Sequence, residues 1–285
     1  MIDGVKIPVG IVLFNPDIGR LKKNINAIYE NASEIILINN GSTNRREIDS
    51  LVMEYCKIQI IHNPKNYGIA RALNQICDWA DQNDYEYIIT LDQDSISPDN
   101  LFEDYIKNMN LEKVGILCPL IRDRNHNLSN INFDGKITEV KECITSASMV
   151  WLECWKTVHG FDEAMFIDGV DFDFCDRIKK HGYKIVRVNS VILLHEIGHI
   201  RIRKFLFWNV RVKNHSAFRK YYIARNTIYL ARKRERIVLM LKAYLQVLKQ
   251  LGCVLLYEKQ RCDKLQAIIR GAIYGQKMEI TDKWK

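Results

Sequence analysis

Short apolar runs alternate with helix-spaced segments over the first 91 residues, and this alternation limits the fold more than any other feature of the sequence. The apolar runs predict strands at residues 7–14, 34–38, 58–61 and 87–91, with helices at 20–31, 45–56 and 69–80 between them. Strands joined by helices form a parallel sheet with helices on both faces. The sequence therefore predicts an α/β protein.

The pattern becomes mixed after residue 94. Further strands are predicted near 114–118, 143–150 and 184–188, with helices at 99–109, 153–158 and 174–181 and a polar loop at 122–135. From about residue 204 the sequence predicts helix with little strand. We therefore expect two regions, an α/β domain over residues 1–203 and a basic helical region over residues 204–285.

Polar residues follow three of the predicted strands. Asn15 follows the first strand, residues 39–42 (Asn-Asn-Gly-Ser) follow the second, and Asp92-Gln93-Asp94 follows the fourth. Ligands of open α/β sheets bind beyond the carboxyl ends of the strands. Carboxylates are ligands of hard divalent cations, which offset charge on a departing diphosphate. A lone acidic loop is usually just solvated, but three polar loops at one sheet edge favour a metal and diphosphate site.

A second acidic stretch contains Asp162, Glu163, Asp171 and Asp173, and it precedes a predicted helix. Acidic residues near a helix start are often only caps. So many carboxylates exceed what capping needs, and one of them could act as a general base toward an acceptor hydroxyl. His195 follows the apolar residues 191–194, and it is either structural or part of a metal site.

Charge is divided unevenly along the chain. The net charge of +8 combines about +16 over residues 201–285, which hold 21 Lys and Arg against 5 Asp and Glu, with about −8 over the residues before them. Such a basic region suits anionic lipid headgroups, nucleic acid or a diphosphate-bearing substrate. Charge alone does not choose among these partners.

The most apolar stretch, residues 237–257, lies within the basic region and approaches the length of about 20 residues needed to span a bilayer. Lys242, Gln246, Lys249 and Gln250 recur at helical spacing, so we expect an amphipathic helix instead of a spanning one. Its apolar face would pack on the α/β domain or a second subunit, or lie on an anionic membrane surface, and the surrounding basic residues favour the membrane.

Eight cysteines are scattered along the chain without a CxxC pair or the spacing of a zinc site. The sequence opens MIDGVKIPVG, a polar start that lacks the pattern of a secretory signal. We therefore expect free thiols in a reducing cytoplasm.

Seven motifs follow one another along the chain: VGIVLFN (9–15), ILINNGS (36–42), NPKNYGIARALNQ (63–75), LDQDS (91–95), GFDEAMFIDGVDFDFCDRIKKHGY (160–183), LLHEIGH (193–199) and YYIARN (221–226). This ordered set resembles the family 2 inverting glycosyltransferases, which have the GT-A fold, and most closely their bacterial rhamnosyltransferase branch. The resemblance implies a mixed, mostly parallel sheet flanked by helices, with a basic helical C-terminal extension. It also implies transfer of a sugar, L-rhamnose from dTDP-L-rhamnose or a sugar from another donor such as a UDP-sugar, to a lipid-linked O-antigen or capsule acceptor.

The same resemblance implies roles for individual residues. The nucleotide sugar would contact Leu13, Asn15, Asn39, Gly41, Asn66, Gly68, Arg71, Asn74, Asp92 and Gln93. Mg²⁺ or Mn²⁺ would bind Asp94, with Asp92 and His195, and Asp171 would be the general base. The family usually has Asp-Asn at 39–40 and Glu-Asp at 170–171, where this sequence has Asn39-Asn40 and Val170-Asp171. Asp168 or Asp173 could therefore share or take the role of the base.

Residues 221–226 leave two interpretations open. Arg225 and Asn226 could face the acceptor or the diphosphate, or this helix could simply pack with Tyr221 and Tyr222 inward.

Two other classes of protein are weighed against the transferase. A non-catalytic basic protein that binds membranes or nucleic acid would need none of the carboxylates, whereas the transferase interpretation predicts no nucleic-acid partner. A nucleotidyltransferase would need a glycine-rich phosphate loop with a lysine near the first strand, which residues 12–20 (VLFNPDIGR) do not supply.

Overall fold

The computed structural model describes residues 4–123, 136–195, 201–205, 208–212 and 214–284. The strands are β1 Val9–Leu13, β2 Ile35–Asn39, β3 Ile58–His62, β4 Tyr87–Asp92, β5 Val114–Asp123, β6 Ile137–Glu139, β7 Ser148–Trp151, β8 Lys184–His195, β9 Arg201–Phe205 and β10 Trp208–Val212. The α-helices are α1 Ile18–Ile28, α2 Arg45–Val52, α3 Ile69–Gln82, α4 Leu101–Asn108, α5 Leu152–Thr157, α6 Val170–Lys180, α7 Ala217–Lys233, α8 Ile237–Tyr257 and α9 Arg261–Lys277. Short 3₁₀ helices lie at Glu163–Met165 and Asp282–Trp284.

Contacts divide the chain into two compact units. The first comprises Met1–Ala164 and Asp171–Glu196, and the second comprises Met165–Val170 and Ile197–Lys285. The second unit therefore includes a short segment from the middle of the sequence, which no local pattern predicts.

The first unit is built on an eight-stranded sheet in the order β3-β2-β1-β4-β7-β5-β8-β6. The neighbouring pairs β3-β2, β2-β1, β1-β4 and β5-β8 are parallel. β7 pairs antiparallel with β4 and β5, and β6 pairs antiparallel with β8. The predicted α/β class and mixed, mostly parallel sheet are thus present. The predicted polar loop at 122–135 lies mostly outside the described residues.

Helices cover both faces of this sheet. On one face Val9, Ile11 and Leu13 of β1 pack in a buried cluster with residues of α1, α2 and α4. These three side chains lie on one face because side chains alternate along a strand. On the opposite face Gly10 lies against Ile76 of α3. Different helices therefore cover the two faces of the sheet.

The second unit contains an antiparallel pair of strands, in which Trp208 of β10 pairs with Phe205 of β9. The prediction of helix with little strand from about residue 204 is therefore wrong at its start, and the first helix begins only at Ala217. Residues 201–203 (RIR) and 210–212 (VRV) alternate with period two, but these runs are too short and too charged to stand out as strands.

Helices α7, α8 and α9 pack around a small apolar cluster that includes Ile228, Val247 and Ile268. α7 and α9 approach closely where Gly271 and Gly275 face the backbone of Tyr221 and Arg225, since an added Cβ would lie 2.3 Å from either carbonyl oxygen. The small residues let the two helix backbones touch.

A buried ion triad ties α7 to α9. Lys220 and Lys264 lie 2.7 and 2.9 Å from the two carboxylate oxygens of Glu258. All three side chains are buried, so each charge is stabilised by its partners and not by water.

Candidate active site at the carboxyl edge of the sheet

The three polar loops predicted from the sequence lie at one edge of the sheet. Leu13 pairs with Asn39 in the register of β1 with β2, and Val12 pairs with Asp92 in the register of β1 with β4. Because these strands are parallel, the residues that follow them emerge side by side. The side chain of Leu13 is fully buried in the core, so only its backbone can meet a ligand.

Hydrogen bonds between side chains and backbone hold the three loops together. The backbone N–H of Asn15 donates to Ser42 Oγ (2.9 Å), and Asn15 Oδ1 accepts from the backbone N–H of Thr43 (2.8 Å). Gln93 pairs with the backbone of Phe14, since its Oε1 accepts from the N–H (2.8 Å) and its Nε2 donates to the carbonyl (3.3 Å). The amide of Gln93 thus positions the first loop.

Asn39 is buried, and both ends of its amide are engaged. Its Oδ1 accepts from the backbone N–H of Ser42 (3.0 Å), and its Nδ2 donates to Nδ1 of His62 (2.9 Å). Nε2 of the same ring lies 3.0 Å from a carboxylate oxygen of Asp49. His62 thus links the uncharged Asn39 to the carboxylate of Asp49 on α2.

Asn40 joins the second loop to the segment before α3. Its Nδ2 donates to Asn66 Oδ1 (3.0 Å) and to the carbonyl of Gly68 (3.1 Å), and its Oδ1 accepts from the N–H of Tyr67 (3.0 Å). Gly41 has a φ of +80°, and an added Cβ would lie 2.5 Å from the backbone of Lys65. Only glycine allows the two segments to approach so closely at this backbone conformation.

Arg71 and Asn74 are on α3 but differ in their surroundings. Arg71 is exposed, and its guanidinium lies 4.3 Å from the centre of the Tyr67 ring, so it remains accessible to an anion. Asn74 is buried, with its Nδ2 donating to the carbonyl of Phe161 (2.9 Å) and its Oδ1 accepting from the N–H of the same residue (2.7 Å). Asn74 therefore anchors the segment around Phe161.

Asp92 and Asp94 occupy the end of β4 and the loop that follows. The N–H of Asp92 donates to Ser146 Oγ (3.2 Å), and its carbonyl accepts from Asn24 Nδ2 (2.8 Å). Asp94 is exposed and makes no hydrogen bond or ion pair with any residue that the structure describes. Its two oxygens are thus available to a ligand at the edge of the sheet.

Carboxylate oxygens fit a hard divalent cation, and the exposed Asp94 beside the partly exposed Asp92 offers such donors. Among the described residues no group of three or more His, Cys, Asp or Glu side chains forms a complete metal site. His195 is the last residue of β8, and its side chain lies outside the described part of the structure.

The acidic residues around α6 have distinct environments. Asp173 is buried in an ion pair with Arg177 (2.8 Å), which also donates to the carbonyl of Val158. Asp171, in the first turn of α6, is half-buried and borders a small cavity of about 10 Å³ together with Cys143 and Cys175. Asp162 accepts from the N–H of Ala164 (3.1 Å). Asp162 and Asp173 are buried, whereas Asp171 is only half-buried and lies next to an apolar wall.

All eight cysteines are free thiols, as expected from their scatter. Cys143 and Cys175 Sγ atoms lie 3.8 Å apart. Burial raises the pKa of Cys154 to about 12. A thiol with so high a pKa stays protonated and unreactive at neutral pH.

Several residues that position the site are not predicted by the sequence. Asn24, Ser146, His62 and Asp49 contact it from α1, the segment before β7, β3 and α2. Asn24, Ser146 and His62 lie more than 20 residues from the loop residues that they contact, and Asp49 acts through His62, so no local pattern links them to those loops.

Two solved structures of low identity share this fold. The mannosyltransferase PcManGT from Pyrobaculum calidifontis, in complex with GDP-Man and Mn²⁺, superposes with a TM-score of 0.60 at 12% identity, over 95% of this chain and 87% of that one. GalNAc-T7 with UDP, GalNAc and Mn²⁺ gives a TM-score of 0.59 at 13% identity, over 79% of this chain and 48% of that one. The chain therefore spans about half the length of GalNAc-T7. These likenesses show that the fold is the GT-A fold.

The chain belongs to glycosyl transferase family 2, whose sequence profile matches residues 9–170. A characterised relative, the dTDP-rhamnosyl transferase RfbF of Shigella flexneri, is 29% identical over 238 residues, which cover 78% of this chain and 79% of the relative. The predictions of the GT-A fold, the family and a glycosyltransferase activity are thus confirmed.

Proposed function

We propose that this glycosyltransferase transfers L-rhamnose from dTDP-L-rhamnose to a lipid-linked acceptor of a surface polysaccharide. The observation that carries the proposal is the set of three cross-linked polar loops at one sheet edge, with the exposed Asp94 beside them. The choice of dTDP-rhamnose is supported by the similarity to RfbF, and a UDP-sugar is the alternative donor. We further propose residues 1–203 as the catalytic domain and residues 204–285 as an attached basic region, whose first helix begins at Ala217.

In this proposal the donor lies across the polar loops. Asn15, Gly41, Asn66 and Gly68 would contact the nucleoside or diphosphate, and the exposed Arg71 would pair with phosphate. Asn39, Asn74 and Gln93 would act mainly by holding the loops in place, since their amides are already engaged by the protein.

Asp171 would accept the proton of the acceptor hydroxyl, whose oxygen then attacks C1 of the sugar. The bond between C1 and the phosphate oxygen breaks, dTDP leaves, and the configuration at C1 inverts. Asp94, with Asp92 and His195, would hold Mg²⁺ or Mn²⁺, which when bound offsets the charge of the diphosphate. Asp173 is a poorer candidate for the base because its carboxylate is paired with Arg177.

The test is turnover with dTDP-L-rhamnose, UDP-GlcNAc and GDP-mannose, each with Mg²⁺ or Mn²⁺ and a lipid-linked acceptor. We expect product with dTDP-L-rhamnose alone, and a loss of about 10² to 10⁴ in turnover for Asp171→Asn. Asp94→Asn is expected to lose turnover and metal binding together. Asp99→Asn and Asp176→Asn, which change other acids of the same loop and helix, are matched controls and should keep turnover.

Product with a UDP-sugar alone would assign the alternative donor. Unchanged cellular function after both Asp94→Asn and Asp171→Asn would favour the non-catalytic binding protein.

We also propose that α8 lies on the anionic cytoplasmic surface of the membrane. Among the described residues it is the one helix whose length and composition could span a membrane, with a mean hydropathy of 1.4. Its exposed apolar side chains, however, form one stripe beside the exposed Lys242 and Lys249. The stripe consists of Ile237, Val238, Leu241, Tyr244, Leu245, Leu248, Leu255 and Leu256. An apolar stripe with lysines along its side suits a helix that lies in the interface.

Sedimentation with vesicles tests this placement. We expect binding to phosphatidylserine-containing vesicles that weakens with salt, little binding to phosphatidylcholine alone, and loss of binding in Leu241→Glu/Leu248→Glu. A dimer that the same double variant dissociates, without vesicle binding, would assign the stripe to a second subunit instead.

A further inference from the structure

A strained loop precedes the helix that carries Asp171. Phe166 and Asp168 have φ values of +61° and +66°, in the left-handed region that non-glycine residues seldom adopt. Strain of this kind persists where surrounding contacts fix the backbone, and it is concentrated at ligand sites. Residues 165–170 therefore need an external support.

Helix α7 provides this support within the second unit. Arg225 Nη2 donates to the carbonyl of Met165 (2.6 Å), and Asn226 Nδ2 lies 2.9, 2.7 and 2.8 Å from the carbonyls of Met165, Ile167 and Asp168. Both side chains are buried. Arg225 and Asn226 thus hold a loop nearly 60 residues earlier in the chain, which neither interpretation of residues 221–226 predicted.

The loop presents Phe166 to two aromatic residues of α7. The rings of Phe166 and Tyr222 are stacked, with centroids 4.8 Å apart at 16°, and Phe218 lies 4.9 Å from Tyr222. Phe218 is 57% exposed. We name Phe166, Phe218 and Tyr222 the aromatic platform.

Each of the two elements that form the platform also carries a charged residue, Asp168 in the loop and Arg219 on α7. Arg219 follows Phe218 on α7 and donates through Nε and Nη2 to the carboxylate of Asp168, at 3.0 and 2.9 Å. Half of the Arg219 side chain remains exposed. The same strained loop that displays Phe166 therefore also displays Asp168.

A pyranose ring matches this combination. One side of such a ring is a patch of C–H groups that packs on aromatic faces, and its rim carries hydroxyls that bond to carboxylate and guanidinium groups. A lipid chain would use the rings but not the ion pair. The charged pair thus favours a sugar.

We infer that the aromatic platform, with Asp168 and Arg219, binds a sugar residue of the glycan acceptor. The inference rests on the proposed transferase function. Phe166 lies five residues before Asp171, so the chain limits the separation of their Cα atoms to about 18 Å, a distance that a short oligosaccharide can cover.

Saturation-transfer NMR on the full chain tests the sugar contact directly. The probes are methyl α-L-rhamnoside, methyl β-D-N-acetylglucosaminide and methyl α-D-galactoside at millimolar concentration. We expect transfer to the ring C–H protons of at least one glycoside, loss of that transfer in Phe218→Ala, and its retention in Tyr244→Ala, which removes an exposed aromatic of α8. No transfer to any of the three, or equal transfer in both variants, overturns the inference.

Kinetics separate this inference from the proposed function. With wild-type turnover established, Phe218→Ala and Asp168→Asn should raise the KM for the acceptor about tenfold and change the KM for the donor less than twofold. An unchanged acceptor KM overturns this inference but not the proposed function.

Absence of wild-type turnover with any donor would contradict the proposed function. The NMR result then decides whether the platform binds a sugar. Loss of vesicle binding in Phe218→Ala without loss of saturation transfer would assign the platform to the membrane and overturn the sugar contact.

Discussion

Truncating Asp173 distinguishes a structural carboxylate from the proposed base two residues earlier. Asp173 and Arg177 are 2.8 Å apart, and their side chains are only 4% and 2% exposed. Asp173→Ala removes the carboxylate that is ion-paired with this buried guanidinium, which costs about 3–5 kcal/mol of the free energy of unfolding. Asp171 is half-exposed, so Asp171→Ala should cost only about 1 kcal/mol.

Urea unfolding followed by circular dichroism measures this difference. With a slope of about 3 kcal/mol per molar urea, Asp173→Ala should lower the midpoint by about 1 to 1.7 M, and Asp171→Ala by about 0.3 M. Turnover is then measured without urea, at a temperature at which both variants are folded. Folded Asp173→Ala should stay within a few-fold of wild type, whereas Asp171→Ala should fall by about 10² or more.

The reasoning fails if Asp173→Ala unfolds at the wild-type midpoint and still loses turnover. In that case the ion pair contributes little stability, and Asp173 takes over the role of the base. Arg177→Met, which removes the positive partner but leaves the Asp173 carboxylate, is the matching variant and should also unfold at lower urea.

Three further predictions concern stability, donor binding and thiol reactivity. Burial alone would raise the pKa of Glu258, but hydrogen bonds from Lys220 and Lys264 outweigh it and the pKa is lowered. Its stabilisation is therefore present above the ordinary carboxyl pKa and lost as pH falls through the folded value, so the gap in thermal midpoint between wild type and Glu258→Gln should close in acid and not in base. Gly41→Ala should raise the KM for the donor about tenfold or more, since its Cβ would push the backbone of Lys65 away, and an unchanged KM measured by steady-state kinetics would contradict a donor site at this loop. Iodoacetamide at pH 8 should label the exposed Cys56 and Cys262 well before the buried Cys154, and mass spectrometry showing the reverse order would refute the described burial.

Local patterns in the sequence predict most of the fold of the first unit. The apolar runs at 34–38 and 87–91 correspond to β2 and β4 within one residue, because strand formation there depends on short buried runs between turn residues. The position of the polar loops follows as well, since parallel strands end at a common edge. The pairing of β9 with β10 is missed because the two alternating runs are short and highly charged.

Only the tertiary structure decided which polar side chains are buried and which are exposed. Asp171 and Asp173 stand two residues apart and look alike in the sequence, yet packing encloses one with Arg177 and leaves the other half-exposed. Asn74 is matched to a donor-binding motif, but its amide is taken up by Phe161, which is 87 residues away.

The physical reason is the range of the interactions. Whether a segment forms a helix or a strand depends on neighbours within a few residues, so the sequence by itself determined the order of elements and the edge at which the polar loops lie. Burial and hydrogen-bond partners depend on which faces pack together across long separations in the chain. The pairing of Asn226 with the carbonyls of residues 165–168, the partial burial of Asp171 and the exposure of Asp94 therefore exist only in the folded protein.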